Sequence, residues 1–343
     1  MFKKILSVLL VVASLFTLAS CGKESDVSYI DGCVQELGQY KGLNIEIAES
    51  ELEFYKVKLF KNNAAYVTTT SGTIGKIDTI IVTITVTCDG KDVTSLNLTD
   101  GVVSLGTGGN IKGFDEQVIG HKVGRLINFK LTLPEDFPEE EFAGKEVDYI
   151  VRASSIRSYP SIDDATVKEA MYSNYGISTV NDFNIYAKNT LFVEKLVQQI
   201  MDTTKINHLV QDDVDDGVQY YNEYYASMYL QQVQAGYMGS FSEYCQKYLG
   251  QTVEELEVAI LKESQTSAKF MLVMYALCEA EGYVATDDDI KEVARSSFAE
   301  YGYATPRAFI RGEGKEVLRY TITQQDLSEM YMFLRYNNTL VVK

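Results

Sequence analysis

Few residues in this 343-residue sequence are of a type and spacing that invites chemistry. His121 sits in the turn Gly120-His121-Lys122-Val123-Gly124, which suits a structural histidine satisfied by local backbone, and His208 has no catalytic neighbour in sequence. A serine nucleophile needs a strained turn motif, and none is present. The glycine run 106–113, GTGGNIKG, lacks both the spacing of a phosphate loop and its Lys-Ser ending. Asp212, Asp213, Asp215 and Asp216 cluster without the ordered alternation of a calcium loop, so a solvated acidic turn is expected. Cys33, Cys88, Cys245 and Cys278 include no close pair and no accompanying histidine, so neither metal nor cofactor is expected. Their disulfide pairing stays open, with buried thiols the plainer expectation. Whatever this chain does, it brings no reactive group to it.

Apolar and aromatic surface is what remains. In 219–238, QYYNEYYASMYLQQVQAGYM, Tyr220, Tyr221, Tyr224, Tyr225, Met228 and Tyr229 are spread around the helix rather than along one stripe. Tyrosine with methionine makes an adaptable surface that meets many apolar segments. Two readings follow: a helix buried between neighbours, or the wall of a cradle that binds other chains.

The elements that would position such surfaces are readable from periodicity. Strand-like alternation occurs at 79–87 (Ile80, Val82, Ile84, Val86), at Ile127, Phe129, Leu131 and Leu133, and at Val147, Tyr149 and Val151. Asp89-Gly90 offers a hairpin turn. Residues 102–124 read as strand, glycine loop, one short helix around Phe114 and Val118, and glycine turn. That is too compact for a parallel crossover and suits a small helix laid across a curved antiparallel sheet. Upstream, 40–47 reads as a strand and 49–62 as a helix with Leu52, Tyr55 and Leu59 on one face. From residue 158 the pattern is helical almost to the end, with caps expected at Ser161, Ser178, Ser240, Thr252, Thr286 and Thr305.

Three segments carry a family resemblance: SLGTGGNIKGFDEQVIGHKVGR at 104–125, LTLPEDF at 131–137 and AGKEVDYIV at 143–151. Together they resemble FKBP-type peptidyl-prolyl isomerase domains, in the version found in trigger factors. GQTVEELEVAILKES and YVATDDDIKEVARSSFAEYG resemble the C-terminal helical domain of the same family. The implied fold class is α+β: an FKBP-like antiparallel half-barrel wrapping a short helix, then an all-α trigger-factor-like domain with arms. The family's complete N-terminal domain and basic ribosome-docking loop have no counterpart in the sequence, so no ribosome contact is expected.

Carried over position by position, the resemblance implies a prolyl-isomerase pocket. Ile111 and Phe114 match its floor, Tyr149 the place of a pocket phenylalanine, and Phe137 the aromatic after a Pro-acid-acid turn. Ile84 stands where the family has a strand tyrosine or phenylalanine. Val93 and Thr94 fall where a Phe-acidic pair is usual, and Gly101 replaces a wall phenylalanine. The implied site keeps an apolar floor and loses wall aromatics and its rim carboxylate, which lowers the expected isomerase activity.

The N-terminus gives an address. Lys3 and Lys4 precede an uncharged run, 5–18, which ends in Leu18-Ala19-Ser20-Cys21-Gly22. The order is that of a secretory signal, and cysteine at the cut resembles a bacterial lipobox. The resemblance implies cleavage before Cys21, lipid on its sulfur, and an extracytoplasmic protein tethered to the cell membrane. The net charge of −17 makes nucleic acid an unsuitable partner.

The expected organisation is a signal peptide (1–20), a lipid-anchored tether (21–39), a strand–helix lead-in (40–72), the isomerase domain (73–157) and the helical chaperone domain (158–343). The expected function is a membrane-tethered folding factor for unfolded or nascent exported polypeptides. The alternative is a non-catalytic lipoprotein receptor or scaffold for one specific partner.

Overall fold

The computed structural model describes residues 28–343, so the leader and Cys21 lie outside the described residues. Two compact units are present. One runs up to Ile45 and resumes over Phe192–Val341, and the other comprises Glu46–Leu191 with Val342–Lys343. In chain order the elements begin with β1 (Val34–Glu36), β2 (Asn44–Ile47), α1 (Glu49–Lys61), β3 (Val67–Thr69), β4 (Thr79–Cys88) and β5 (Lys91–Asp92). Next come β6 (Leu98–Ser104), α2 (Phe114–Val118), β7 (Leu126–Thr132), β8 (Glu146–Ser158), α3 (Asp164–Tyr175), α4 (Val180–Thr203) and β9 (Lys205–Ile206). The remainder is α5 (Gln211–Gln234), α6 (Phe241–Tyr244), α7 (Val253–Glu281), α8 (Asp287–Ser297), α9 (Pro306–Glu313), α10 (Lys315–Gln325), α11 (Ser328–Tyr336) and β10 (Thr339–Val342).

The unit around Glu46–Leu191 is built on an antiparallel sheet whose centre is the pair β4–β8, with β7 and β3 also on β8, and β6 and β5 on β4. Alternation does what the sequence foretells. Ile80, Val82, Ile84 and Val86 of β4 and Val147, Tyr149, Val151 and Ala153 of β8 all point into one core. Register sets Val86 opposite Tyr149 and Ile84 opposite Val151, with a shift at Ile81/Val82. A one-residue slip would turn every one of these side chains to solvent, so the pattern fixes the register. Asp89 (φ 51°) and Gly90 (φ 82°) make the tight turn between β4 and β5, both left-handed as a two-residue hairpin of this kind requires. The five-residue α2 is too short to hold itself together. It is kept by burying Phe114 and Val118 in the sheet's core. A second cluster joins α1, α3 and the first turns of α4 through Leu59, Phe60, Met171 and Phe183.

The other unit is helical, apart from short strands. Capping boxes at Ser240, Thr252 and Thr286, and Thr305 before Pro306, start α6, α7, α8 and α9. In the Glu46–Leu191 unit two caps differ from expectation. Asp163 rather than Ser161 caps α3, because its carboxylate accepts from the Ala165 and Thr166 amides while Ser161 Oγ donates to it. Thr179 rather than Ser178 accepts from the Asp182 amide at the start of α4. The expected strand at 40–47 shortens to Asn44–Ile47.

The tether is a larger correction. From residue 28 the chain is folded: β1 pairs with β9, and Ile30 and Cys33 are buried with Tyr275 and Tyr320. Polar composition suggests a linker, but Ile30 and Cys33, with Tyr29, Val34 and Leu37 packed beside them and a strand pairing, dock it. Cys33, Cys88, Cys245 and Cys278 are free, buried thiols.

Candidate functional site

Three elements converge on one aromatic cluster. Phe114 comes from α2, Phe129 from β7 and Tyr149 from β8. Phe129 and Tyr149 face each other in register and stack at 5.1 Å with planes 6° apart, while Phe114 meets both edge-on at 5.8 Å. Edge-to-face and offset contacts of this kind hold rings in fixed orientations. Phe114 is 4% exposed and Tyr149 3%, whereas Phe129 is half-buried and presents the accessible part of the trio. Burial lifts the Tyr149 phenol to about 12, so it stays a neutral O–H donor at any working pH.

Of the six residues named for the pocket, Phe114 and Tyr149 belong to this ring cluster, and Ile84, Val93, Ile111 and Phe137 belong to or pack on the same domain core. Their exposure differs. Ile111 and Phe137 are half-buried at its margin. Ile84 and Val93 belong to its interior, Val93 at 0% exposed with its amide donating to Val86 O. Phe129 and Leu131 were not named as site residues, although the alternation on β7 and an aromatic opposite Tyr149 were there to be read. Gly101 explains a missing wall. A Cβ there would lie 3.0–3.2 Å from Leu98 side-chain atoms, so an aliphatic side chain packs over the place where a larger residue at 101 would sit.

The loop leading into α2 is fixed from two sides. Asp115 Oδ2 accepts from the Gly106 amide (2.7 Å) and Oδ1 from Asn110 Nδ2 (2.6 Å), which also donates to Ser104 O (3.0 Å). Gly106 (φ 74°) admits no side chain, since a Cβ would stand 2.8 Å from Lys76 O. On the other side Lys61 of α1 donates to Ser104 Oγ (2.6 Å), Asp78 O (3.2 Å) and Leu105 O (3.3 Å). Burial pulls its ammonium down to about 8, against the raising effects of Asp78 and Asp115. His121 is exposed, and its carbonyl accepts from the Ile74 amide.

The tyrosine helix α5 lies along α7 and α6. Tyr221, Tyr225, Met228 and Tyr229 pack on Tyr244, Cys245, Leu256 and Ile260, and Tyr229 Oη donates to Gly239 O (3.1 Å). Tyr220 is half-buried, and Tyr224 is 47% exposed. The six residues therefore form an inward stripe and an outward edge. Beside that edge the chain exposes Leu230, Val233, Met238 (94%) and Tyr248. Leu230 and Val233 lie on α5 itself and Met238 in the turn beyond it, and sequence spacing does not separate them from the packed stripe.

The acidic cluster Asp212, Asp213, Asp215 and Asp216 is not the solvated turn expected but the opening turns of α5, and only part of it faces water. Asp213, in the first turn of α5, is buried and accepts from Tyr320 Oη (2.5 Å). Burial raises its carboxyl to about 7, with Asp216 and Asp212 adding and the Tyr320 bond opposing. His208 is exposed, with Nε2 3.4 Å from Cys33 Sγ.

Residues 71–154 match the family model for the FKBP-type peptidyl-prolyl cis-trans isomerase. Over 274 residues the chain is 27% identical to the trigger factor of Pelotomaculum thermopropionicum, covering 78% of this chain and 62% of that one. It is 26% identical over 286 residues to a trigger factor of Streptococcus agalactiae, covering 78% and 64%. The chain thus spans less than two thirds of the length of these curated relatives. A solved structure of the trigger factor chaperone aligns at 16% identity over 87% of this chain and 72% of that one. Its TM-score of 0.25 is too low to equate the two arrangements. Residues 71–154 are accordingly an FKBP-type isomerase domain, set in a chain that is trigger-factor-like along most of its length.

Proposed function

We propose that this chain is a protein-folding factor that binds unfolded polypeptides and turns X-Pro bonds slowly. The observation that carries this reading is the Phe114–Phe129–Tyr149 cluster within an FKBP-type domain, on the same chain as a helix that leaves tyrosine and aliphatic side chains in water. The barrier to rotation about a peptide bond is about 18–20 kcal/mol and comes from amide resonance, so no nucleophile or metal is needed. A twisted amide has lost that resonance. Compared with water, a dry apolar site with a donor near the reorganising group narrows the gap between the planar amide and the twisted one. Phe129 and the half-buried Ile111 and Phe137 offer the apolar seat, and Tyr149 supplies a neutral O–H in its wall. Leu98 beside Gly101 in place of an aromatic leaves fewer ring faces around a proline, which supports slow turnover. On the arm, several small apolar patches bind weakly one at a time and tightly only together, which suits release.

In this reading the leader directs export and lipid on Cys21 holds the protein outside the cytoplasm at the membrane. Labelling cells with a lipid precursor tests it: label lost in Cys21→Ser supports the anchor, and unlabelled wild-type protein refutes it. Folding activity is tested by refolding a proline-limited substrate and by aggregation of unrelated denatured proteins. Acceleration of the first and suppression of the second are expected. A chain that does neither and retains a single partner is the receptor of the alternative reading.

A further inference from the structure

On α8, Lys291 and Arg295 stand one helical turn apart, and on α9 Arg307 and Arg311 do the same. With Lys315 at the start of α10 they line a single cleft of about 520 Å³. Like charges four residues apart weaken a helix, and here two such pairs share one cleft in a chain whose net charge is −17. The acids nearby are already engaged. Asp287 is 3.0 Å from Lys315 and 2.6 Å from Arg319, and Asp288 is 2.9 Å from Lys291. Arg295, Arg307 and Arg311 are exposed and have no acidic partner among the described residues. Behind them Ile290, Ala294, Phe309 and Leu318 form a closed apolar cluster, so the cleft rests on a packed base.

We propose that this cleft binds a short acidic segment of another polypeptide, its carboxylates on Arg295, Arg307 and Arg311 and its intervening apolar side chains on Pro306 and Ile310. A guanidinium presents a planar fork that takes a carboxylate by two parallel hydrogen bonds. The cleft is much larger than a single small anion and mixes half-buried apolar residues with the arginines, as a peptide site does and a bare phosphate cage does not. Extended polyanions fit poorly. Nucleic acid or an anionic bilayer would bring charge against the acidic remainder of the surface. A segment of a few residues feels mainly the cleft, because screening confines the field to about 8 Å at physiological salt. This inference goes beyond the folding-factor reading and holds whether or not the isomerase-type domain turns over prolyl bonds.

The test is fluorescence anisotropy with the purified chain and a short dye-labelled peptide alternating glutamate and leucine, beside its glutamine counterpart. The glutamate peptide is expected to bind, and the glutamine peptide is not. The double variant Arg307→Gln/Arg311→Gln, checked for an unchanged thermal melt, should weaken binding about tenfold or more. Lys188→Gln/Lys262→Gln makes the same change in net charge elsewhere and should leave binding intact. Three results would overturn the proposal: equal binding of both peptides, equal binding by both double variants, or no peptide binding while pyrophosphate or anionic vesicles bind at these arginines.

Discussion

The FKBP-type domain and the tyrosine helix α5 are both rich in rings, and they use them in opposite ways. In the FKBP-type domain, strand register puts Phe129 opposite Tyr149, and Phe114 meets both edge-on. On α5 the helical period splits six residues between a stripe packed on α7 and an edge in water. In the proposed reading the sheet makes a preformed seat with little freedom, whereas the helix offers one face to its neighbour and leaves the other for an arriving chain. One fold thus supplies geometry and the other supplies tolerance.

The sharpest way to break this contrast is in the FKBP-type domain. Phe114→Ala removes the ring that fastens α2 to the sheet, and should cost about 3–5 kcal/mol in chemical denaturation of the FKBP-type unit. A loss below about 1 kcal/mol would mean that the ring is not the fastener described. On α5, Tyr221→Ala should lower the stability of the helical unit by about 1–3 kcal/mol, since it empties part of a packed cluster. Tyr224→Ser should change stability by less than about 0.5 kcal/mol and still reduce aggregation suppression. Equal stability losses for the two tyrosines would erase the distinction between stripe and edge.

A subtler contrast is in pH dependence, because each unit holds a buried charged group whose pKa is displaced, Lys61 in one and Asp213 in the other. Lys61 falls from its ordinary 10.5 to about 8 in the folded chain. Between those values the unfolded chain holds the extra proton, so stability rises with pH across about 8 to 10.5. Asp213 rises from 3.8 to about 7. Here the folded chain holds the proton, so its contribution is full below about 3.8 and is lost as pH climbs to about 7. Lys61→Met and Asp213→Asn should each flatten the corresponding limb of a pH–denaturation profile, and unchanged slopes would remove these groups as the cause.

Much of the half-barrel was legible because alternation of β-branched residues and the Asp89-Gly90 turn are local signals that the final structure obeys. The pocket residues named from the resemblance all belong to or pack on the domain's hydrophobic core. What could not be read is which of them stay accessible. Val93 and Phe129 are both apolar residues near a strand, and only the packed sheet makes the first interior and the second accessible. Residues 28–36 read as tether because their polar and glycine composition outweighed the few apolar residues, Tyr29, Ile30, Cys33 and Val34, that dock them. The arginine cleft escaped for a related reason: α8 and α9 each carry an ordinary charged face, and the concentration exists only once they pack side by side.

The most direct test of the account is the cis–trans exchange rate of an X-Pro peptide, followed by NMR exchange spectroscopy with and without the full chain. The account predicts modest acceleration that disappears in a folded Phe129→Leu variant. An exchange rate indifferent to the wild-type chain, or one accelerated equally by that variant, would contradict it.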